Sequence, residues 1–318
     1  MSSNRRTSNS VRPLTMSKFR LVPYTLGEIA VLPSSIMSDI TDWGLHATGI
    51  PSMWPHTEGE GVLVGICDTG RPNHIDLEGA IKCSKRFISA TVDDKVGHST
   101  HVSGIIAADR NGHGVIGVAP KAKLCIAKTI ADDSTGSAAS TVKGIDYCVE
   151  QGCDIISLSI ASDNNAKIRQ AILRAVDQGI LVVCAAGNTG KQAKDSVTWP
   201  AHMEEVIAVG SCNELGKISD FSARGPGLDF IFPGEDILSC WLNNNYRRAS
   251  GTSMATPFCA AVLALLLSYQ RQKGLDLVGT KDKAMSTLKV YARDAGDHGR
   301  DPDSGWGIVD LSGFSRGL

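Results

Sequence analysis

The sequence lacks an excess of charge of either sign, because its 318 residues hold 32 lysines and arginines against 33 aspartates and glutamates. Its basic runs are short, as at Arg5-Arg6 and Arg247-Arg248. Nucleic acids and anionic membranes are usually bound by dense basic patches. The composition therefore predicts neither nucleic acid nor a membrane as a partner.

Long apolar runs are also missing. The longest, Cys259 to Leu267, is much shorter than the roughly 20 residues that a membrane-spanning helix needs. Residues 1–18 are rich in Ser, Asn and Arg, lack the apolar core of a signal peptide and predict a disordered tail. We therefore expect a cytoplasmic protein.

The nine cysteines do not suggest a disulfide framework, since such frameworks usually have an even count in a small secreted domain. Cys67, Cys125 and Cys184 stand inside apolar strand patterns, where a thiol behaves as a small hydrophobic side chain. We expect these cysteines to be packed rather than paired.

From Gly61 onward, short apolar runs alternate with longer helical patterns. Strands are predicted at Val62–Cys67, Leu124–Lys128, Ile155–Ile160, Ile180–Ala186 and Val206–Ser211, and helices near Thr100–Ala108, Ser137–Glu150, Ala166–Gln178 and Ser253–Gln270. This alternation predicts an α/β fold with a mostly parallel central sheet between two layers of helices.

Ser253 begins the helix that contains the longest apolar run, within Gly251-Thr252-Ser253-Met254-Ala255-Thr256-Pro257. Unpaired N–H groups and the helix dipole at such a position favour developing negative charge. Taken alone, such a serine is usually a helix cap. As a nucleophile it would need a base, and that base would need a carboxylate to orient it.

Candidates for both partners lie upstream. Asp68 follows the predicted strand Val62–Cys67, at the end where open parallel sheets collect functional groups, although Asp-Thr-Gly is also a turn sequence. His98 precedes a helix that becomes apolar. His98 and His101 could be read as metal ligands, but no third ligand has matching spacing. His101 is better explained as a structural histidine beneath His98.

Asn188 follows the apolar strand Ile180–Ala186 in Gly187-Asn188-Thr189-Gly190. Its amide could donate a hydrogen bond to an oxyanion, or could simply cap a turn. The order Asp, His, Asn, Ser across these separate motifs favours the catalytic interpretation.

With these motifs, together with Gly117-Val118-Ala119-Pro120 and Gly305-Trp306-Gly307, the chain resembles the subtilisin-like serine proteases over about residues 55–312. The resemblance implies a three-layer subtilisin-like fold. It also implies that Asp68 orients the base, His98 is the base, Ser253 the nucleophile and Asn188 the oxyanion donor.

Phe19 to Tyr24 resembles the short extension of the intracellular branch, so Leu21, Val22, Pro23 and Tyr24 are expected to lie across the active site and inhibit it. The implied domains are a tail over 1–18, an inhibitory extension over 19–45 and a peptidase domain over 46–318. A homodimer is expected from the resemblance alone.

Substrate is expected to add as a strand to Ser134, Thr135 and Gly136 on one side and to Ser159, Ile160 and Ala161 on the other. Compared with the family pattern, Ala161 and Thr198 replace glycines at the primary pocket and should narrow it. Ser99 likewise replaces a glycine after the catalytic histidine, close to the Ser253 helix.

The resemblance also implies a structural calcium ion, and it implies no organic cofactor. Asp76 and Asn111 match ligand positions, although Asn111-Gly112-His113-Gly114 could be only a turn. A weaker cation site would use the backbone oxygens of Ala201, Met203 and Val206, after a cis peptide at Trp199-Pro200.

The predicted function is peptide-bond hydrolysis by a protease held as a zymogen, with protein or peptide substrates. A transpeptidase would begin from the same acyl-enzyme. An inactive relative used as a peptide-binding module is the alternative outside enzymology, and the presence of all four motif residues weighs against it.

Overall fold

The computed structural model describes residues 19–30, 38–192 and 195–316, so the tail predicted over 1–18 lies outside the described residues. The helices are α1 Trp43–Ala47, α2 His98–Ala107, α3 Ala138–Glu150, α4 Ala166–Asp177, α5 Thr252–Lys273 and α6 Lys281–Val290. The strands are β1 Phe19–Leu21, β2 Thr25–Ala30, β3 Leu63–Asp68, β4 Ile81–Arg86, β5 Lys123–Lys128, β6 Thr135–Gly136, β7 Ile155–Leu158, β8 Ile160–Ala161, β9 Leu181–Ala185, β10 Ile207–Cys212, β11 Phe230–Pro233, β12 Ile237–Trp241, β13 Asn245–Ser250, β14 Ala292–Arg293 and β15 Ile308–Val309.

A nine-stranded sheet in the order β14-β15-β11-β10-β9-β7-β3-β5-β4 forms the centre of the molecule. Neighbouring strands are parallel except at the edge, where β14 is antiparallel to β15. Strands β3, β7, β9 and β10 are buried at every position, as continuous apolar runs predict for a parallel sheet covered on both faces. The carboxyl ends of these strands face one edge.

The two faces of the sheet bury separate apolar clusters. Val64 and Ile66 of β3 pack into the cluster that contains helices α2 and α5, whereas Leu63 and Cys67 pack into the cluster that contains α3 and α4. The residues fall into the two clusters in this way because successive side chains of a strand point to opposite faces of the sheet. The predicted arrangement of three layers with a mostly parallel central sheet is confirmed.

Helix α5 runs through the interior. Residues Thr252 to Gln270 are buried, and the helix is capped by Gly274, whose φ of 67° suits glycine. Its length and composition would suit a membrane span, but the apolar window is fully buried inside the protein. It is therefore the core helix, longer than the apolar run alone predicted.

Two small sheets incorporate the extension. Strand β1 lies between β6 and β8, and β2 adds to the β12-β13 pair. No helix occurs in residues 19–30 or 38–42.

One cysteine prediction is wrong. Cys125 is paired with Cys83 in a disulfide between adjacent strands β5 and β4, with Cα atoms 4.7 Å apart. The two cysteines are 42 residues apart in the sequence, so only the adjacency of β4 and β5 in the sheet brings them together. Cys67 and Cys184 are unpaired and buried, as predicted.

Candidate active site

Asp68 and His98 form a buried hydrogen-bonded pair at the carboxyl end of the sheet. Asp68 is the last residue of β3, and His98 is the first residue of α2. The two carboxylate oxygens of Asp68 lie 2.8 and 2.9 Å from His98 Nδ1. A carboxylate oxygen accepts from the ring nitrogen that it meets, and in a neutral imidazole whose Nδ1 donates, Nε2 is the acceptor. His98 Nε2 is buried and has no hydrogen-bond partner among the described residues.

Ser253 supplies a second unpaired group. It lies in the first turn of α5, and its Oγ is buried without a hydrogen-bond partner in the described part of the chain. Helix α5 packs against α2, which carries His98. Buried polar atoms are normally paired, so an unpaired hydroxyl and imidazole at the starts of two packed helices mark a place for reaction.

Asn188 is oriented by Thr252, the residue before the serine. Asn188 Oδ1 accepts hydrogen bonds from the Thr252 N–H and hydroxyl, both at 2.9 Å. A backbone N–H can only donate, which fixes the amide so that Nδ2 points outward. Nδ2 donates to the carbonyl oxygen of Pro23. The orienting role of Thr252 was missed by the sequence analysis.

The extension enters the cleft as a strand. In antiparallel β1, Arg20 is opposite Thr135 of β6 and Ala161 of β8, and Leu21 is opposite Ile160. The predicted residues on both sides therefore hold a strand between them, as strand addition requires.

The residues that follow β1 contact Asn188 and His98. Leu21 and Val22 are buried, whereas Pro23 is exposed. The Tyr24 ring lies 4.7 Å from the His98 ring, centre to centre. Burial, followed by the nearby charges of Asp68 and Asp94, raises the pKa of Tyr24 to about 12. Tyr24 is therefore neutral and covers the imidazole.

The remaining pocket residues lie around the same cleft. Ser134 has a φ of 64° at the turn before β6. Ser159 donates from Oγ to the Ser253 carbonyl at 3.1 Å, which ties the substrate strand to α5. Thr198 donates to the Ala186 carbonyl at 3.1 Å. A Cβ on Gly187 would meet the Thr198 methyl at 2.8 Å, so Thr198 fills space directly beside the strand end that carries Asn188.

Ser99 fits into the start of α2 without displacing His98. It is fully buried, and its backbone N–H donates to Thr69 Oγ1 at 3.0 Å. Its own hydroxyl has no partner among the described residues.

Asp94 is a buried carboxylate that the sequence analysis missed. One oxygen accepts from the N–H groups of Val96 and Gly97 and from Thr69 Oγ1, and the other accepts from the N–H and hydroxyl of Thr100. Asp94 thereby fixes the loop that precedes His98. The sequence feature that could have identified Asp94 is its position just before the start of a helix, where exposed N–H groups attract carboxylates.

Lys128 was also missed. It ends β5 with a fully buried side chain, and Nζ donates to the carbonyls of Thr69 and Asp93 and to Asp132 Oδ1. These bonds join the turn after Asp68 to the segment leading to His98. The sequence feature that could have identified Lys128 is its position at the end of an apolar strand.

His101 has the structural role predicted for it. Its Nε2 lies 3.1 and 2.9 Å from the carbonyl oxygens of Ile237 and Arg247. Burial lowers its pKa to about 3, which keeps the ring neutral. Because His98 is bonded to Asp68 and His101 to carbonyls, the two do not form a metal site.

Asp76 and Asn111, predicted to bind calcium, are brought together. Asn111 Nδ2 lies 3.4 Å from Asp76 Oδ1, while Asp76 Oδ2 accepts from Tyr246 Oη and the Val115 N–H. Calcium takes six to eight oxygens, whereas here donors already meet the carboxylate. Calcium binding by Asp76 and Asn111 stays a prediction.

The weaker cation site, predicted at Ala201, Met203 and Val206, follows a cis peptide at Trp199-Pro200, as expected. The Val206 N–H donates to the Met203 carbonyl at 3.4 Å. Cation binding there stays a prediction.

Comparison with known proteins gives a consistent picture. The subtilase family model matches residues 59–307. The chain is 36% identical over 267 residues to the major intracellular serine protease of Bacillus subtilis, covering 80% of this chain and 82% of that protein. It is 40% identical over 233 residues to an intracellular serine protease of Paenibacillus polymyxa, covering 70% and 72%.

A further relative is named as extracellular. The chain is 33% identical over 283 residues to the minor extracellular protease Epr of Bacillus subtilis, covering 86% of this chain and 43% of that protein. The intracellular relatives are matched over most of their length, which supports the predicted branch. The chain therefore belongs to the subtilase family, on its intracellular subtilisin branch, and is a subtilisin-type serine peptidase.

Proposed function

We propose that the protein is a cytoplasmic endopeptidase that cleaves through an acyl-enzyme on Ser253 and is held inactive by its own N-terminal extension. The observation that carries this proposal is the hydrogen bond from Asn188 Nδ2 to the Pro23 carbonyl. The amide that would stabilise an oxyanion is thus occupied by the chain's own backbone.

The catalytic step uses the groups described above. Ser253 Oγ attacks the substrate carbonyl while His98 Nε2 takes its proton, and Asp68 stabilises the imidazolium through Nδ1. Asn188 donates to the oxygen that becomes negative. His98 then gives the proton to the leaving amine, and water repeats the sequence to release the acyl group from Ser253.

Inhibition follows from the residue that meets Asn188. In a productive substrate, the residue whose carbonyl meets the oxyanion donor also places its side chain in the specificity pocket. Here the carbonyl belongs to Pro23, whose side chain is exposed, whereas the preceding Leu21 and Val22 are buried. Pro23 also lacks an N–H for strand pairing. Together with Tyr24 over His98, this arrangement binds the extension without aligning a bond for attack.

The test compares the full-length chain with a variant that lacks residues 1–24, using short chromogenic peptides and melting curves to check folding. We expect the deletion to raise the peptidase rate and Ser253→Ala in the deleted chain to abolish it. Equal rates for the full-length and deleted chains would contradict inhibition. A rate that survives Ser253→Ala would contradict the assigned nucleophile.

Two finer points stay predictions. Transfer of the acyl group to an amine starts from the same intermediate as hydrolysis, so mass spectrometry of the products in the presence of added peptide separates the two. A homodimer, expected from the resemblance, is tested by light scattering on the purified chain.

A further inference from the structure

Three cysteines outside the active site bring their sulfur atoms together on one face of the central sheet. The Sγ atoms of Cys125, Cys148 and Cys153 all lie within 4.8 Å of one another, and all three residues are buried. Cys125 is on β5, Cys148 is on α3, and Cys153 lies in the turn between α3 and β7. Three separate elements thus direct sulfur to one point, which the packing of small hydrophobic side chains does not require.

The end of helix α3 places two of these sulfurs side by side. The Gly152 N–H donates to the Val149 carbonyl at 3.0 Å, and the Cys153 N–H donates to the Cys148 carbonyl at 3.0 Å. Gly152 has a φ of 69°, the left-handed conformation that glycine favours. These two hydrogen bonds define a Schellman motif, which folds the chain after a helix back over its last turn. The local sequence therefore holds Cys148 and Cys153 together.

Gly65 of β3 leaves the space that the sulfurs fill. It lies opposite Cys125 in the register of the sheet. A Cβ on Gly65 would be 2.7 Å from Cys148 Sγ and 3.1 Å from Cys153 Sγ, so the sulfurs would have to move. Two residues further along β3, Cys67 points to the same face, and its side chain interacts with that of Cys148.

Cys83 supplies a fourth sulfur at the edge of the sheet. It forms the disulfide with Cys125 and lies on β4, the edge strand. Cys83 is only half-buried, so a reductant or an ion can approach the group from this side. A dithiol reductant would convert the disulfide into two thiols and would itself become a disulfide. Reduction therefore gives two further thiols next to Cys148 and Cys153.

We propose that the reduced Cys83, Cys125, Cys148 and Cys153 form a tetrahedral thiolate site for a thiophilic divalent metal ion such as Zn²⁺. Four cysteines are a common ligand set for zinc, and Zn–S bonds of about 2.3 Å place the sulfurs about 3.8 Å apart. The observed separations need to contract by only about 1 Å to reach that distance. Binding replaces four S–H bonds with four metal–sulfur bonds and releases four protons to water. The metal and the disulfide exclude each other, because both use Cys83 and Cys125.

The charges around the group suit this role. Four thiolates and one divalent ion carry a net negative charge, which is costly to bury without a compensating group. Lys82 is exposed and interacts electrostatically with Cys153. Asp154, the carboxylate next to Cys153, is paired with Arg271. The neighbouring carboxylate is thus already neutralised, while Lys82 offsets part of the thiolate charge.

The test titrates Co²⁺ and then Zn²⁺ into the full-length chain with Ser253→Ala, which prevents self-cleavage and separates metal binding from peptidase activity. The chain is first reduced with a phosphine and freed of metal without oxygen. We expect one Co²⁺ per chain, with the intense visible absorption of tetrahedral cobalt and a sulfur-to-cobalt charge-transfer band, and its displacement by Zn²⁺. The chain with the Cys83–Cys125 disulfide intact should show neither absorption.

Single substitutions link the binding to these sulfurs. Cys148→Ala and Cys153→Ala should each weaken Zn²⁺ binding about a hundredfold, as expected for the loss of one ligand in four. Cys184→Ala is the matched control, because Cys184 is also a buried free thiol but lies on β9, outside the group. One equivalent of Zn²⁺ should raise the Tm of the reduced chain and of Cys184→Ala, but not of Cys148→Ala. Melting curves without metal show whether each variant is folded.

Four results would each overturn the site. They are no Co²⁺ binding by the folded, reduced chain, a cobalt spectrum typical of six oxygen ligands, equal Zn²⁺ affinity in Cys148→Ala and Cys184→Ala, and binding of Cu⁺ without binding of Zn²⁺ or Co²⁺.

Discussion

Replacing Val22 with aspartate should release the inhibitory extension, and its effect can be worked from the contacts. Burial of Leu21 and Val22 contributes about 2 kcal/mol each. The four paired positions with β6 and β8 contribute about 1 kcal/mol each. Ordering the four residues that make these contacts, Phe19 to Val22, costs about 1.5 kcal/mol each in conformational entropy. The sum leaves docking of the extension favoured by about 2 kcal/mol, which is an equilibrium constant of roughly 30.

The aspartate removes the buried valine and places an unpaired carboxylate in the same position, so the docked state is no longer favoured. Hydrolysis of a short chromogenic peptide should then rise by up to about thirtyfold, the full docking equilibrium. Ile29→Asp is the matched control, because Ile29 lies in the same extension with its side chain exposed. Activity of Val22→Asp equal to that of the wild type or of Ile29→Asp would refute this reasoning.

Three further predictions concern specificity, pH and calcium. Because we expect Ala161 and Thr198 to narrow the specificity pocket, a peptide library should show small or medium residues before the cleaved bond, and a profile dominated by Phe and Tyr would contradict this. Because the pKa of His101 is lowered to about 3, the unfolded chain binds an extra proton below about pH 6.5, so stability should fall by up to about 1.4 kcal/mol per pH unit on acidification. Urea titrations should show a steeper slope in the wild type than in His101→Gln, whereas equal slopes would contradict it. If Asp76 and Asn111 bind calcium, a chelator should lower the Tm of the wild type but not of Asn111→Ala, and an unchanged wild-type Tm would end that prediction.

Features that depend on local pattern were predictable from the sequence. The strand ending at Asp68 was predicted from a continuous apolar run, and the helix after His98 from the apolar residues that follow it. Because the ends of parallel strands share an edge, Asp68 was expected at that edge, whereas its pairing with His98 was implied only by the resemblance to the subtilisin-like proteases. The apolar residues after Ser253 likewise predicted helix α5, which begins one residue earlier, at Thr252.

Features that depend on distant pairing were not predictable. The disulfide of Cys83 with Cys125 requires the adjacency of β4 and β5, which no local pattern specifies. Likewise, Thr252 orients Asn188 across 64 residues of sequence. Strand β2 contains Gly27 and two apolar residues that remain exposed, so its pairing with β13 has no amphipathic signal. Asp94 gave only a weak signal, because an acidic residue before a helix is common.

The most direct test of the account is labelling by a fluorophosphonate, which forms a covalent bond only with an activated serine. The chain lacking residues 1–24 should react at Ser253, identified by peptide mass spectrometry, and Ser253→Ala should not react. Asp68→Asn should slow the labelling, because His98 would lose its orienting carboxylate. Labelling at another serine, or none in the folded deletion variant, would contradict Ser253 as the activated nucleophile.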